Sequence, residues 1–399
     1  MNRRIVALIS AFVLAINAIG AFAQDEPIAI GFWEECATPE NLPEDVKLGL
    51  VANITGPISF YGAPQRDGTM MAVEEINTLG YLGDTTLTVL YEDTGSDPTY
   101  NEAIAAVTKL IEQDEVSAIM GPTLSSEAFA AAPVAQENGT PILGLSNAAE
   151  GLPAAIGNYY FRALMPESTM IPFTVKAAIG YTGMETAAIL YGDDDDFTLS
   201  GYDAFSNALA REDITIVGEE TFERGDTDFN AQLTNLLAND PDALVLAALA
   251  AEAVPIITQA RALGFEGPIL GGNGLNAPGI IVGAQAAAEN VMAGTSYHPS
   301  STDPLAAAFT AKFQELYGYS PDQFAAHAYT GTWIMATAIR CADSAERDAI
   351  RNALDTDIEN FYSPLGYFGF DDNRDPVYNR ILQVVQDGAF AVAVVEGES

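Results

Sequence analysis

Ser125 and Ser126 follow Gly121-Pro122 almost directly at the start of an alanine-rich stretch, and Ser146-Asn147 closes the next short apolar run. Serines at the start of a helix cap its free N–H groups, and that use alone accounts for them. The same N–H groups, with the positive end of the helix, also form a site for a carboxylate. A further loop, Gly56-Pro57-Ile58-Ser59-Phe60-Tyr61-Gly62, brings an aromatic side chain, Tyr61. Three such loops at one sheet edge would make a pocket with polar donors and one aromatic wall. That is chemistry for holding a small molecule, not for transforming it.

Motifs for covalent chemistry are missing. The sequence has no GxSxG, HExxH, CxxC or P-loop. Its two cysteines, Cys36 and Cys341, and two histidines, His298 and His327, lack the spacing of a zinc site. Gly272-Asn273-Gly274-Leu275-Asn276-Ala277 fits a dinucleotide fingerprint. It lies deep in the chain, with Glu289 too close to serve as the ribose-binding acid, so it reads as a turn at a sheet rim. Asp193–Asp196, just past a strand end, reads as a cation site, a pocket rim or a solvated loop. Asp371-Asp372-Asn373-Arg374-Asp375 opens like a calcium loop, but Pro376 stands where that loop needs glycine and no glutamate closes it. His327, among Ala and Tyr in a helix, reads as packing. No metal, cofactor or enzymatic activity is expected.

The elements that must position these loops alternate in type. Val46–Val51 reads as a strand, and Arg66–Leu79 as a helix with Met70, Val73, Ile76 and Leu79 on one face. Thr86–Tyr91 is a strand, Asp97-Pro98 starts a helix, and Val116–Met120 and Pro141–Leu145 are strands around the helix opened by Ser125. The rhythm restarts with strands at Thr186–Tyr191, Ile214–Val217, Ala243–Ala247 and Pro268–Leu270. Helices at Gly201–Ala210, Phe229–Leu237 and Val254–Ala262 separate them. Helices at Pro304–Tyr317, Asp322–Cys341 and Ser344–Leu354 follow, then strands Tyr367–Phe370 and Ile381–Val385. Short apolar strands each trailed by an amphipathic helix predict an α/β fold of parallel sheets covered on both faces. The length suits two lobes, with a passage near Tyr159–Pro166. No repeat or flexible linker separates them, so the lobes are expected to interweave.

Charge excludes other roles. Among 399 residues, 55 Asp and Glu against 16 Lys and Arg give a net charge of −39. Nucleic acids and anionic bilayers are repelled by such a field. Only Lys47, Lys109, Lys176 and Lys312 supply lysine, a composition suited to strong salt. Arg3 and Arg4, an apolar run from Ile5 to Ile19, and Ala21-Phe22-Ala23 before Gln24 read as a cleaved export signal over residues 1–23. Export to an oxidising compartment makes Cys36 and Cys341 a candidate disulfide, the other possibility being two free thiols.

Several segments together resemble the type I periplasmic solute-binding proteins, and within them the branched-chain amino-acid binding group of ABC importers. They are Val46–Gly62, Ala72–Asn77, Tyr91–Asp97, Val116–Ser126, Tyr160–Arg162, Gln259–Gly264 and Phe368–Asp371. The resemblance implies two Rossmann-like three-layer lobes joined by three crossovers near 163–167, 294–299 and 364–370. Lobe one would comprise 46–164 with 298–365, after an N-terminal segment 24–45, and lobe two 165–297 with 366–399. The lobes would close on a ligand and present it to a membrane permease, the protein being a monomer. A module presenting a small molecule to a membrane receptor would look the same.

In such relatives the positions of Ser125 and of Ser146-Asn147-Ala148 hold the ligand carboxylate. Tyr61 matches a pocket aromatic and Phe324 a side-chain contact. Phe197, Leu249 and Asn273 match an aromatic, a tyrosine and a glutamate that pairs the ligand ammonium. Ala148, Leu249 and Asn273 depart from that pattern, so the ammonium needs another partner, such as Glu252 or the Asp193–Asp196 loop. A free α-amino acid leads, with amides, urea-like solutes, short carboxylates and aromatic acids open.

Overall fold

The computed structural model describes residues 30–95 and 97–395. The export signal expected over residues 1–23 lies outside them. The chain first lays down β1 (Asp45–Ala52), α1 (Ser59–Thr78), β2 (Thr86–Asp93), α2 (Asn101–Glu112) and β3 (Ala118–Met120). Then come α3 (Ser125–Glu137), β4 (Ile142–Gly144), α4 (Leu152–Ile156) and β5 (Tyr160–Arg162). These strands form one parallel sheet in the order β2-β1-β3-β4-β5. Leu48 of β1 stands beside Val89 on one side and Ala118 on the other. Six of the eight β1 residues are buried, including every one from Leu48 on, as a strand covered by helices on both faces requires.

The second half repeats the pattern with α5 (Glu167–Thr182), β6 (Thr186–Gly192), α6 (Asp196–Arg211), β7 (Thr215–Phe222) and α7 (Asn230–Leu237). It continues through β8 (Ala243–Ala247), α8 (Ala250–Ala262), β9 (Ile269–Gly271), α9 (Pro278–Ala284) and β10 (Val291–Thr295). Helices α10 (Pro304–Tyr317), α11 (Gln323–Ala342) and α12 (Arg347–Thr356) then return to the first sheet, where α11 packs along α1. A small antiparallel sheet follows, made of β11 (Phe361–Ser363), β12 (Gly366–Phe370) and β13 (Pro376–Val377). Two last strands, β14 (Ile381–Gln386) and β15 (Ala389–Val395), complete a seven-stranded sheet in the order β15-β14-β10-β9-β8-β6-β7. In it β14 alone runs against the rest, antiparallel to β10 on one side and to β15 on the other.

The fold is thus α/β with two Rossmann-like lobes, and the chain passes between their sheets three times: after β5, after β10 and through the small sheet. Tyr367–Phe370 belongs to the small sheet, where Phe368 is buried against the first lobe's core. Several helices begin earlier than periodicity suggested. α1 starts at Ser59 and α6 at Asp196, because Asp195 caps α6 by accepting from the N–H of Phe197 and Thr198. α2 starts later, at Asn101, after Asp97 has turned the chain by accepting from Thr99 N–H. α5, β10 and the short β5 and α4 carry no clear amphipathic repeat and were not anticipated.

Cys36 and Cys341 form a disulfide across 305 residues of sequence. It ties the segment before β1 to the end of α11. Arg340 of α11 reinforces the tie by donating to the carbonyls of Cys36 and Tyr81 while lying over the rings of Trp33 and Tyr81. Asp343 accepts from the backbone N–H of Glu40 and Asn41. No helix among the described residues is long and apolar enough to cross a membrane.

Candidate functional site

In a parallel sheet, ligands bind beyond the carboxyl ends of strands where the chain reverses its direction of winding. In the first sheet that point lies between β1 and β3, and in the second between β6 and β8. The loops after these strands face each other across the interlobe cleft. Tyr61 follows β1, Thr123 to Ser125 follow β3 and Ser146 follows β4. From the other side come Asp195 and Phe197 after β6, Leu249 after β8, and Asn273 with Gly274 after β9. With Phe324, near the start of α11, they enclose a cavity of about 20 Å³.

The first-lobe wall is held by buried polar side chains. Gln65 of α1 donates to Ser146 Oγ at 2.8 Å and accepts from Thr123 Oγ1 at 2.7 Å. Ser146 Oγ in turn donates to the Thr123 carbonyl, so its hydrogen is spent. Leu124, not a serine, is the residue before α3, and Glu127 reaches back to accept from its N–H. Ser125 and Ser126 are therefore the first helical residues and need not cap; their hydroxyls are turned to other partners. Ser125 Oγ accepts from Ala149 N–H, and its own hydrogen has no acceptor among the described residues. Its backbone N–H and those of the next two residues have no i−4 carbonyl to bond within the helix.

Ser126 reaches across the cleft. Its Oγ donates to Asp195 Oδ2 at 2.8 Å and accepts from Asp196 N–H at 3.2 Å. Asp195 is only 4% exposed, and burial pushes its carboxyl above the usual range, partly offset by Ser126 and the nearby Arg224. Glu252 lies close enough to interact with it electrostatically but does not line the cavity; its Oε1 accepts from Gly225 N–H. Asp195 is the one charged side chain in the wall.

Tyr61 also spans the lobes. Its hydroxyl donates to the Gly274 carbonyl at 2.8 Å and accepts from Ala250 N–H, the first of α8, at 2.7 Å. Its ring lies 4.9 Å from that of Phe324. Tyr61, Leu124, Ala148 and Phe324 share one hydrophobic cluster with Phe197 and Leu249, so the lobes are shut on each other.

Tyr61, Ser125, Ser146, Phe197, Leu249, Asn273 and Phe324 thus line the cavity. Ala148 is buried just behind it. Asn147 is turned away, donating to the Pro122 carbonyl and accepting from Tyr160 hydroxyl. Arg162 is fully buried, paired with Asp375 and donating to the Ala149 carbonyl. Asp371 closes the adjoining turn by accepting from Asn373 and Asp375 N–H. Gly272–Ala277 is a sheet-rim turn whose Asn273 reaches the cavity. His327 is buried, bonded to Gln323, Ser296 and Tyr378, and burial lowers its pKa to about 4. No cluster of three potential metal ligands occurs among the described residues.

The sequence offered no signal for Glu167, the first residue of α5. Its N–H donates to the Ala148 carbonyl of the first lobe, and its Oε1 accepts from Asn273 N–H of the second at 2.8 Å. It is 1% exposed, its Oε2 has no partner among the described residues, and burial raises its pKa to about 7. Gln323, also unforeseen, donates to the Asn273 side-chain oxygen and accepts from Thr295 hydroxyl.

Two lobes, facing switch points and a polar cavity between them define a solute-binding protein, and the chain belongs to the periplasmic binding protein family, whose profile matches residues 45–389. It is 26% identical over 336 residues to a leucine-, isoleucine-, valine-, threonine- and alanine-binding protein of Pseudomonas aeruginosa, spanning 83% of this chain and 87% of that one. Among solved structures it is similar to a leucine-binding protein, LivK, of Thermotoga maritima, with 27% identity and a TM-score of 0.81 over 88% of this chain and 98% of that one. A branched-chain amino-acid transporter substrate-binding protein, LivJ, of Streptococcus pneumoniae in complex with isoleucine has the same identity and TM-score, over 88% and 99%. The family is one of solute-binding proteins, not of enzymes.

Proposed function

We propose that this chain captures a free α-amino acid between its lobes outside the inner membrane and delivers it to an ABC permease. The carrying observation is the opposed chemistry of the cavity walls. On the first lobe, the uncommitted Ser125 hydroxyl and the N–H groups opening α3 suit a carboxylate. On the second, Asp195 supplies negative charge to the wall, with the Arg224 cation near it but outside the cavity, and suits an ammonium. Asp195 thereby takes the part that a glutamate at the position of Asn273 plays in the branched-chain binders, with Glu252 adding negative potential behind it. Phe197, Leu249 and Phe324 enclose the ligand side chain, and Ser146, Asn147 and Ala148 shape the carboxylate end. Hinge motion at the three crossings, between a lobe of 46–164 with 298–365 and one of 165–297 with 366–399, opens the cleft. A ligand favours the closed state because it touches both lobes there.

Calorimetry on the mature protein tests this with alanine and leucine, each beside its des-amino analogue, propionate or 4-methylpentanoate. The amino acid that binds should lose tenfold to a hundredfold, roughly one charge-assisted bond, when its ammonium is removed. Asp195→Asn should cost the amino acid a similar factor and leave the des-amino acid unaffected. Equal binding of amino and des-amino forms would move the assignment to a bare carboxylate.

A further inference from the structure

We infer that a second crevice between the lobes, apart from the cavity at Ser125 and Asp195, is a binding site for a small organic cation, a primary amine on an apolar body the size of a cyclohexyl or phenethyl group. The crevice lies beside the second crossing, where Thr295, Tyr297 and Pro299 line it. The first lobe adds the loop into α11, and the second adds α9 and the turn between β14 and β15. Its volume is about 340 Å³, within the range of about 300–1,000 Å³ common for small-molecule pockets. The cavity at Ser125 and Asp195 measures about 20 Å³.

Much of the lining is apolar, with Pro278, Ile281 and Val282 of α9, Pro321 before α11, and Phe390 of β15. Val282 is 75% exposed, a large apolar side chain left facing water. The neutral amides of the lining are already engaged. Gln383 donates to the Asn276 side-chain oxygen, Asn276 donates to the Gly294 carbonyl, and Gln323 is held by Asn273 and Thr295. Asp322 is the one charged residue of the lining, and it is only 8% exposed. It caps α11 by accepting from Ala325 N–H at 2.9 Å, and no cation forms an ion pair with it among the described residues. A carboxylate has two accepting oxygens, so this cap leaves room for a further donor. Burial raises the Asp322 pKa to about 7, as expected of a carboxyl without a cation. An ammonium would supply that partner. An anion would meet both Asp322 and the chain's net charge of −39, and a neutral apolar molecule would bury the carboxyl further without pairing it. An occupant also touches both lobes, and so adds to what holds them closed.

The test is calorimetry with cyclohexylamine and phenethylamine, each beside its uncharged counterpart, cyclohexanol or phenethyl alcohol. The proteins are wild type, Asp322→Asn and Asp195→Asn. Asparagine caps a helix as well as aspartate does, so Asp322→Asn should fold while losing the charge. At least one amine should bind wild type about tenfold tighter than its alcohol, as a charge-assisted bond implies, and Asp322→Asn should abolish that advantage. Asp195→Asn should leave the amine's affinity unchanged. No binding of either amine at millimolar concentration would overturn the inference, as would equal affinity for amine and alcohol in wild type. An affinity lost in Asp195→Asn but kept in Asp322→Asn would also overturn it, by placing the amine in the cavity at Ser125.

Discussion

A carboxyl group taken out of water without a cation partner tends to keep its proton, and Glu167 is such a group at the back of the cleft. Its pKa rises from an ordinary 4.5 to about 7, chiefly through burial and against the pull of the Asn273 N–H. The unfolded chain releases this proton near pH 4.5 while the folded chain holds it to about 7. Its effect on stability is therefore most favourable below pH 4.5, declines between 4.5 and 7, and is flat above. Glu167→Gln should gain on wild type across that window, by about 3 kcal/mol at the top. Urea unfolding of both proteins at stepped pH measures it, and a pH-independent difference would contradict the assignment. Glu167 was not legible as a site residue, and Asp195 was read only within the Asp193–Asp196 run, as one candidate for a pocket rim or an ammonium partner. An acid in a helix's first turn and an acid in a run of four look like surface features. Only the contacts to Asn273 and Ser126 across the cleft distinguish them.

The strands and helices were easier to read than the site, for reasons visible in particular elements. β8 was anticipated at its observed bounds because Ala-Leu-Val-Leu-Ala is buried throughout and flanked by turn residues. α10 was read as well, since Pro304 and Gly318 mark its ends. α5 carries Pro172 inside it and β10 has Gly294 near its end, and such breaks hide an element from periodicity. Packing between elements imposes its own demands. Gly68 of α1 lies against the carbonyl of Ala325 in α11, so an added methyl would collide with backbone. Gly68→Ala should cost about 1–3 kcal/mol, as overpacking does. A Tm equal to wild type would show that the two helices can separate. The bridge from Cys36 to α11 closes a long loop, and replacing both cysteines by serine should cost about 2–5 kcal/mol in urea unfolding. It should also expose the segment before β1 to proteolysis. An unchanged midpoint would mean that Arg340 and Asp343 hold that segment unaided.

At the scale of the molecule, a net charge of −39 opposes compaction. Salt screens that repulsion, so the thermal midpoint should climb as potassium chloride rises to the molar range. Indifference to salt would argue that the acids are spaced widely enough not to interact. The two sheets place their switch points face to face, and that arrangement, not any single side chain, makes the cleft a trap. Ligand binding to the folded state alone raises stability by RT ln(1 + [L]/Kd), about 2.7 kcal/mol at a hundredfold excess over Kd. The most direct measurement is therefore a thermal-shift screen of the mature, disulfide-bonded protein against the twenty amino acids, amides, ureas and small carboxylates. A clear upward shift with an α-amino acid, absent with its des-amino analogue, is the expected result. No shift with any amino acid, and one with a bare carboxylate or an amide, would contradict it.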